Sequence, residues 1–260
     1  MTGKNKPEAE IFGPEVSLSA LLSKASEYKR FGFWIVGDTP LICHAWSHKA
    51  KLEMLQKQVK ATKPGKEARD PQQDFVDSLY TMGKDKHGRP TSYGFPVTGF
   101  KKAFLSVAHK DKGVARTATR QALWLDMEMV RVMPALAGAM CDMPLIRIYG
   151  SPPEMREDMG RIGAGLTKTA NLIYRAQFTN WAVRITGRYN PAILDTMKIV
   201  TLVLDSGIAT GVGEWRNEKD GVFGSYRIAD AEEEEAWEAY ARGEGELPEN
   251  NTYRLLEAAE

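Results

Sequence analysis

The chain has 260 residues, 43% of them hydrophobic, and its 35 basic and 34 acidic side chains leave a formal net charge of +1. That is enough apolar material for one large domain with a full core, and no run of about 18 apolar residues offers a membrane-spanning helix. The opening residues Met1–Glu10 lack the apolar stretch of a secretory signal, and Cys43 and Cys141 lie among apolar neighbours, which predicts buried thiols in a cytoplasmic protein.

The charge is unevenly spread. Ser47 to Arg120 holds 16 Lys and Arg against 7 Asp and Glu, whereas Ala229 to Glu260 holds 2 against 11. The first stretch suits an anionic partner, and the second repels one.

Residues 1–28 are polar and read as an N-terminal extension, with a short helix over Val16–Leu22. Phe31–Val36 is aromatic and β-branched and reads as a strand, closed by the turn residues Gly37–Pro40. Pro40–Trp46 continues extended. Ser47 then caps a helix carrying Ala50, Leu52, Met54 and Leu55, and residues 60–73 read as a mobile basic loop. A short helix over Asp74–Leu79 precedes a turn at Gly83–Pro90. From Val97 to His109, the residues Val97, Phe100, Phe104, Leu105 and Ala108 share one helical face, with Lys101 and Lys102 off it.

Residues 110–143 have no place in a simple repeat of elements and read as an insertion. Pro144–Tyr149 is a compact strand stopped by Gly150–Pro153, and Pro153–Asp158 reads as an acidic helix start. Extended chain is predicted over 173–189. Its clearest part is Asn180–Tyr189, where Trp181, Val183, Ile185 and Tyr189 alternate with Ala182, Arg184, Thr186 and Arg188. Such period-two alternation buries one face and shows the arginines on the other. Asn190 and Pro191 open an apolar helix over Ala192–Asp205, and a last strand covers Ser225–Ile228.

In order, strand 31–36, helix 97–109, strand 145–149, strand 173–189, helix 192–205 and strand 225–228 give β-α-β-β-α-β. The expected fold class is therefore α+β, with a ferredoxin-like or RRM-like core. It implies an RRM-like domain over 29–229 with basic insertions at 47–93 and 110–143, followed by an acidic C-terminal tail at 230–260.

Between helix and last strand lies a glycine-rich loop. Gly207, Gly211, Gly213, Gly221 and Gly224 surround Trp215, Arg216 and Lys219. Glycine lets another backbone approach closely, while Trp and Arg supply a stacking surface and a phosphate fork. With Lys101, Lys102, Arg116, Arg120, Arg161, Lys168, Arg184 and Arg188, these residues form the predicted nucleic-acid-binding set. Arg156, Lys110 and Lys112 add to the basic neighbourhood.

Other chemistries have weaker signals. His44 and His48 are four apart beside Cys43 but lack a distant further ligand, so no metal is expected. No Gly-x-Ser-x-Gly elbow or Walker lysine pattern occurs, Gly160–Gly165 has the wrong spacing for a dinucleotide loop, and no cofactor is expected.

Trp181–Ile228 resembles the closing βαβ of the RAMP superfamily, the Cas7-like RNA-binding proteins of CRISPR effector complexes, and its five loop glycines carry that resemblance. The whole sequence also resembles a set of tailed-bacteriophage and prophage proteins through Thr39–His44, Gly94–Pro96, Met155–Gly163 and Gly211–Gly221. These resemblances imply an RRM-like fold, phage origin and action in the host cytoplasm. The acidic end from Glu232 and the 110–143 stretch depart from the Cas7-like pattern. The resulting expectation is a non-enzymatic binder of single-stranded RNA or DNA. It assembles side by side as a homo-oligomer or within a multi-subunit ribonucleoprotein, without a membrane partner. The alternative is a protein–protein module that inhibits a host complex through its acidic C-terminal segment. A third reading is a nuclease using His44 or His48 as general base.

Overall fold

A computed structural model describes residues 28–45, 54, 70–108, 115–131, 142–162 and 169–249. The helix expected at 16–22, the helix expected after Ser47 apart from Met54, residues 60–69 of the basic loop, and His48, His109, Lys110, Lys112, Cys141 and Lys168 lie outside them.

The chain is α+β, and its strands are β1 (Lys29–Gly37), β2 (Leu41–Cys43), β3 (Tyr80–Lys84), β4 (Pro90–Pro96), β5 (Leu123–Leu125), β6 (Glu128–Arg131), β7 (Asp142–Gly150), β8 (Glu154–Ile162), β9 (Thr169–Phe178), β10 (Trp181–Tyr189) and β11 (Tyr226–Ile228). The helices are α1 (Pro71–Asp77), α2 (Val97–Val107), α3 (Arg116–Ala122), α4 (Thr196–Ala209) and α5 (Ala231–Arg242). The main sheet runs β11-β1-β10-β7-β4-β3, with β5 beside β10 and β6 beside β7, and every pairing is antiparallel. A second sheet, β2-β9-β8, stands beside it.

β10 organises the core. Its alternation sends Trp181, Val183, Ile185 and Tyr189 into one cluster with Phe100 and Phe104 of α2 and Ile199 and Val203 of α4. Phe100 is fully buried, with its ring edge-on to both Phe95 and Tyr226. Apolar burial of this extent is what fixes the helices on one face of the sheet. Asp70 and Asp195 cap α1 and α4 through backbone N–H groups of their first turns.

Several expectations change. Pro71–Gln73 belong to the first turn of α1 and not to a loop. The turn expected at Gly83–Pro90 narrows to Asp85–Arg89, because Gly83 and Lys84 end β3 and Pro90 starts β4 in a hairpin that extends the main sheet. The 110–143 insertion contributes α3, β5 and β6, and the two strands pair with β10 and β7. Pro153–Asp158 is no helix: β8 pairs with β9 over the whole of Glu154–Ile162, and that long-range ladder overrides the local acidic signal. The extended stretch 173–189 splits at Thr179 and Asn180, so that β9 and β10 belong to different sheets. The C-terminal acidic stretch begins with α5, whose Trp237 is buried against the main sheet.

Candidate nucleic-acid interface

The face of the main sheet opposite α2 and α4 carries Arg30, Gly32, Trp34 and Val36 on β1, and Ala182, Arg184, Thr186 and Arg188 on β10. The register places Arg30 opposite Arg188 and Arg188 opposite Trp124 of β5. Directly opposed residues in an antiparallel pair share a face, so the three form a row across three strands. Trp124 is 48% exposed, and the Lys101 ammonium of α2 lies 5.8 Å from its ring centroid. Partial burial, followed by the charge of Arg120, lowers the Lys101 pKa. Arg30 is held by Asp126 at 2.8 Å, while Arg188 has no ion pair with another described residue.

The other half of this face is covered. Trp237 of α5 stacks on Trp34 at 6.2 Å between centroids, and Tyr149 meets Trp34 edge-on at 5.1 Å. Val36 and Ala182 complete the cluster. A capping box of Asp230 and Glu233 starts α5, and Gly243 ends it at φ 77°. Glu233 forks onto Arg227, while Glu238 meets Arg184 at 3.0 Å. Of the two arginines predicted on this face, Arg184 therefore has a carboxylate partner, and Arg188 has none among the described residues. Glu232, Glu234 and Glu235 remain exposed on the outer side of α5.

The glycine-rich loop lies elsewhere. It packs back on the second sheet, where Glu214 N–H donates to the Ile42 carbonyl at 3.0 Å and Gly224 N–H to the Pro40 carbonyl at 2.9 Å. Arg156 of β8 sits over the Phe223 ring at 4.5 Å. Gly213 adopts φ 85°, where a Cβ would lie 2.6 Å from the Ile42 oxygen; at Gly224, φ 67°, it would lie 1.7 Å from the Val212 oxygen. At these two positions, the loop's own packing requires the absence of a side chain.

Between this loop and α2 opens a cleft of about 450 Å³. It brings together the predicted residues Lys102, Arg116, Gly211, Gly213 and Arg216 with His44, Glu214 and Glu218. Arg216 is committed to Glu218 at 2.6 Å and to the Gly213 carbonyl at 3.0 Å. Glu214 accepts from His44 Nδ1 and, at 2.9 Å, from Arg175 Nε. Burial pushes the Glu214 carboxyl up, but the hydrogen bonds and charges of His44 and Arg175 outweigh it and hold the group below its ordinary value. Beneath them, burial pushes the Cys43 thiol far up, so it stays protonated and unreactive.

Arg184 and Arg188 thus belong to the open face of the sheet, Lys101 and Arg120 stand on α2 and α3, with Lys101 beside the edge strand β5, and Lys102, Arg116 and Arg216 line the cleft. Arg161 lies near the end of β8, away from both in the topology. Lys219 is exposed at the end of a short 3₁₀ turn, Asn217–Lys219. Trp215 is half-buried with a strained φ of 50° and forms no ring pair among the described residues. Sequence reasoning missed Trp124 and Glu214. For Trp124, the available signal was Leu-Trp-Leu alternation directly after a basic helix.

No protein-family model matches the chain, and no curated protein matches it. No described helix is long and apolar enough to cross a membrane. Among the described residues there is no group of three or more metal-ligating side chains.

Proposed function

We propose that the chain binds single-stranded nucleic acid on the open half of its main sheet. The observation that carries this reading is the cross-strand row Arg30–Arg188–Trp124, flanked by Lys101. A single strand offers phosphates at regular spacing and unstacked bases, and sequence-tolerant binders meet them with cations beside an exposed aromatic platform. Arg188, without an ion pair among the described residues, supplies a fork for phosphate and Trp124 a surface for a base.

Taking β1, α2, β7, β10, α4 and β11 as a ferredoxin-like βαββαβ core is supported by the order β11-β1-β10-β7, by its antiparallel pairings and by both helices lying on one face. In this reading the bound strand lies on the face free of those helices, as in RRM-like proteins. The Cas7-like resemblance, phage origin and side-by-side assembly are parts of the same proposal. Assembly is supported by the exposed apolar positions Met197, Leu204 and Ile208 along α4.

Fluorescence anisotropy with labelled single-stranded RNA, single-stranded DNA and duplex across a salt series tests the reading. We expect salt-sensitive binding to a single-stranded form that exceeds binding to duplex. Equal affinity for duplex, or no binding at low salt, contradicts it.

A further inference from the structure

We infer that the cleft between α2 and the glycine-rich loop is a second site, separate from the sheet face, that binds a phosphomonoester: a free nucleoside monophosphate or the phosphorylated 5′ end of a strand. The inference does not rest on the strand-binding reading, because a free nucleotide would fill the cleft whether or not the sheet binds a strand.

Size and charge come first. A volume of about 450 Å³ falls within the range of small-ligand pockets and suits one nucleotide. Lys102 of α2 and Arg116 of α3 line it, and neither has an ion pair with another described residue. Both carboxylates that line the cleft are already engaged, Glu214 by His44 and Arg175 and Glu218 by Arg216. The cations left over exceed the acids left over, which is the condition for an anion to enter. Tyr80 and Phe95 add aromatic surface to the lining, suited to the apolar part of a nucleotide.

The choice of monoester over diester follows from His44. The Glu214 carboxylate, pinned from its other oxygen by Arg175, accepts a hydrogen bond from His44 Nδ1. That fixes the proton of a neutral ring on Nδ1 and leaves Nε2 as a bare acceptor, with no protein partner among the described residues. A phosphomonoester carries a second ionisable proton on a P–OH group. That P–OH can donate to the bare Nε2 acceptor at the cleft wall. A phosphodiester has no such proton and gains nothing from the neutral ring.

The test uses the full chain and calorimetric titration with AMP, the methyl ester of AMP and inorganic phosphate. In parallel, two single-stranded oligonucleotides are compared that differ only in a 5′-phosphate or 5′-hydroxyl. AMP should bind more tightly than its methyl ester, and Lys102→Ala and Arg116→Ala should each weaken AMP about tenfold, the effect of losing one charge-assisted hydrogen bond. His44→Ala should remove the preference for AMP over the ester. Both cations are exposed, so these variants should keep the wild-type melting temperature.

If the 5′-phosphate oligonucleotide binds tighter than its hydroxyl twin and AMP erases the difference, the source is the strand end. If AMP binds while the two oligonucleotides behave alike, the source is the free nucleotide. Either outcome supports the site. Failure of AMP and phosphate to bind at millimolar concentration, with identical oligonucleotides, overturns it. Failure of the hydroxyl oligonucleotide to bind at all is a separate result and counts only against the sheet-face reading.

Discussion

The open half of the main sheet and the cleft beside the glycine-rich loop are both basic, but they are built by different means. On the sheet, strand register alone sets the spacing: Arg30, Arg188 and Trp124 stand in one row because β1, β10 and β5 pair there. Their side chains point away from the core and contribute little to holding it. In the cleft, residues from five separated segments meet because the glycine loop is docked on β2 and tied to β9 through Glu214 and Arg175. Substitutions on the sheet face should therefore change binding at constant stability, whereas those in the loop should change both.

The largest expected effect concerns the half of the sheet that is covered. Trp237→Ala removes the ring stacked on Trp34 and should cost roughly 3–5 kcal/mol, read as a fall in the denaturant midpoint. A small loss would mean that α5 is a detachable tail and that the whole face is free. Next, Trp124→Ala should weaken single-strand binding by about 1–3 kcal/mol with melting temperature unchanged. Its companion Arg188→Ala should flatten the log–log salt slope by about 0.7 per lost phosphate contact.

Gly213→Ala sharpens the contrast from the other side. With φ at 85° and the Ile42 oxygen in the way, it should destabilise the fold by about 1–3 kcal/mol and also open the cleft.

Glu214→Gln should show its deficit in melting temperature at neutral pH and lose it in acid. The folded-state pKa lies below the ordinary carboxylate value, so the wild-type contribution is present above that value and disappears as pH falls through the folded one. A deficit that grows toward low pH would contradict the assignment. The smallest effect is expected at Arg184→Ala, whose half-exposed pair with Glu238 is worth about 0–1 kcal/mol.

What the sequence revealed follows the same division. The alternation of β10 and the helical face of Phe100 and Phe104 were legible because each repeats within a few residues and is backed by burial. The glycine loop was recognisable, though at Gly213 and Gly224 the glycines meet neighbouring backbone within the chain. The β8–β9 hairpin was hidden, since proline followed by acids imitates a helix start and only pairing with β9 decides otherwise. The contact between His44 and Glu214 joins residues 170 apart, and no local pattern announces it. Trp124 was passed over inside a stretch read as an insertion, where the outward turn of a three-residue edge strand depends on its neighbour β10.

The measurement that tests the central claim most directly is the affinity of a 5′-hydroxyl single strand across a salt series. It should be made for the wild type, for Trp124→Ala with Arg188→Ala, and for Lys102→Ala with Arg116→Ala. Strand binding on the sheet predicts that the first pair loses about tenfold or more in affinity and flattens the salt slope, while the second pair behaves as wild type. An unchanged affinity in the sheet-face pair, or a loss confined to the cleft pair, would contradict it.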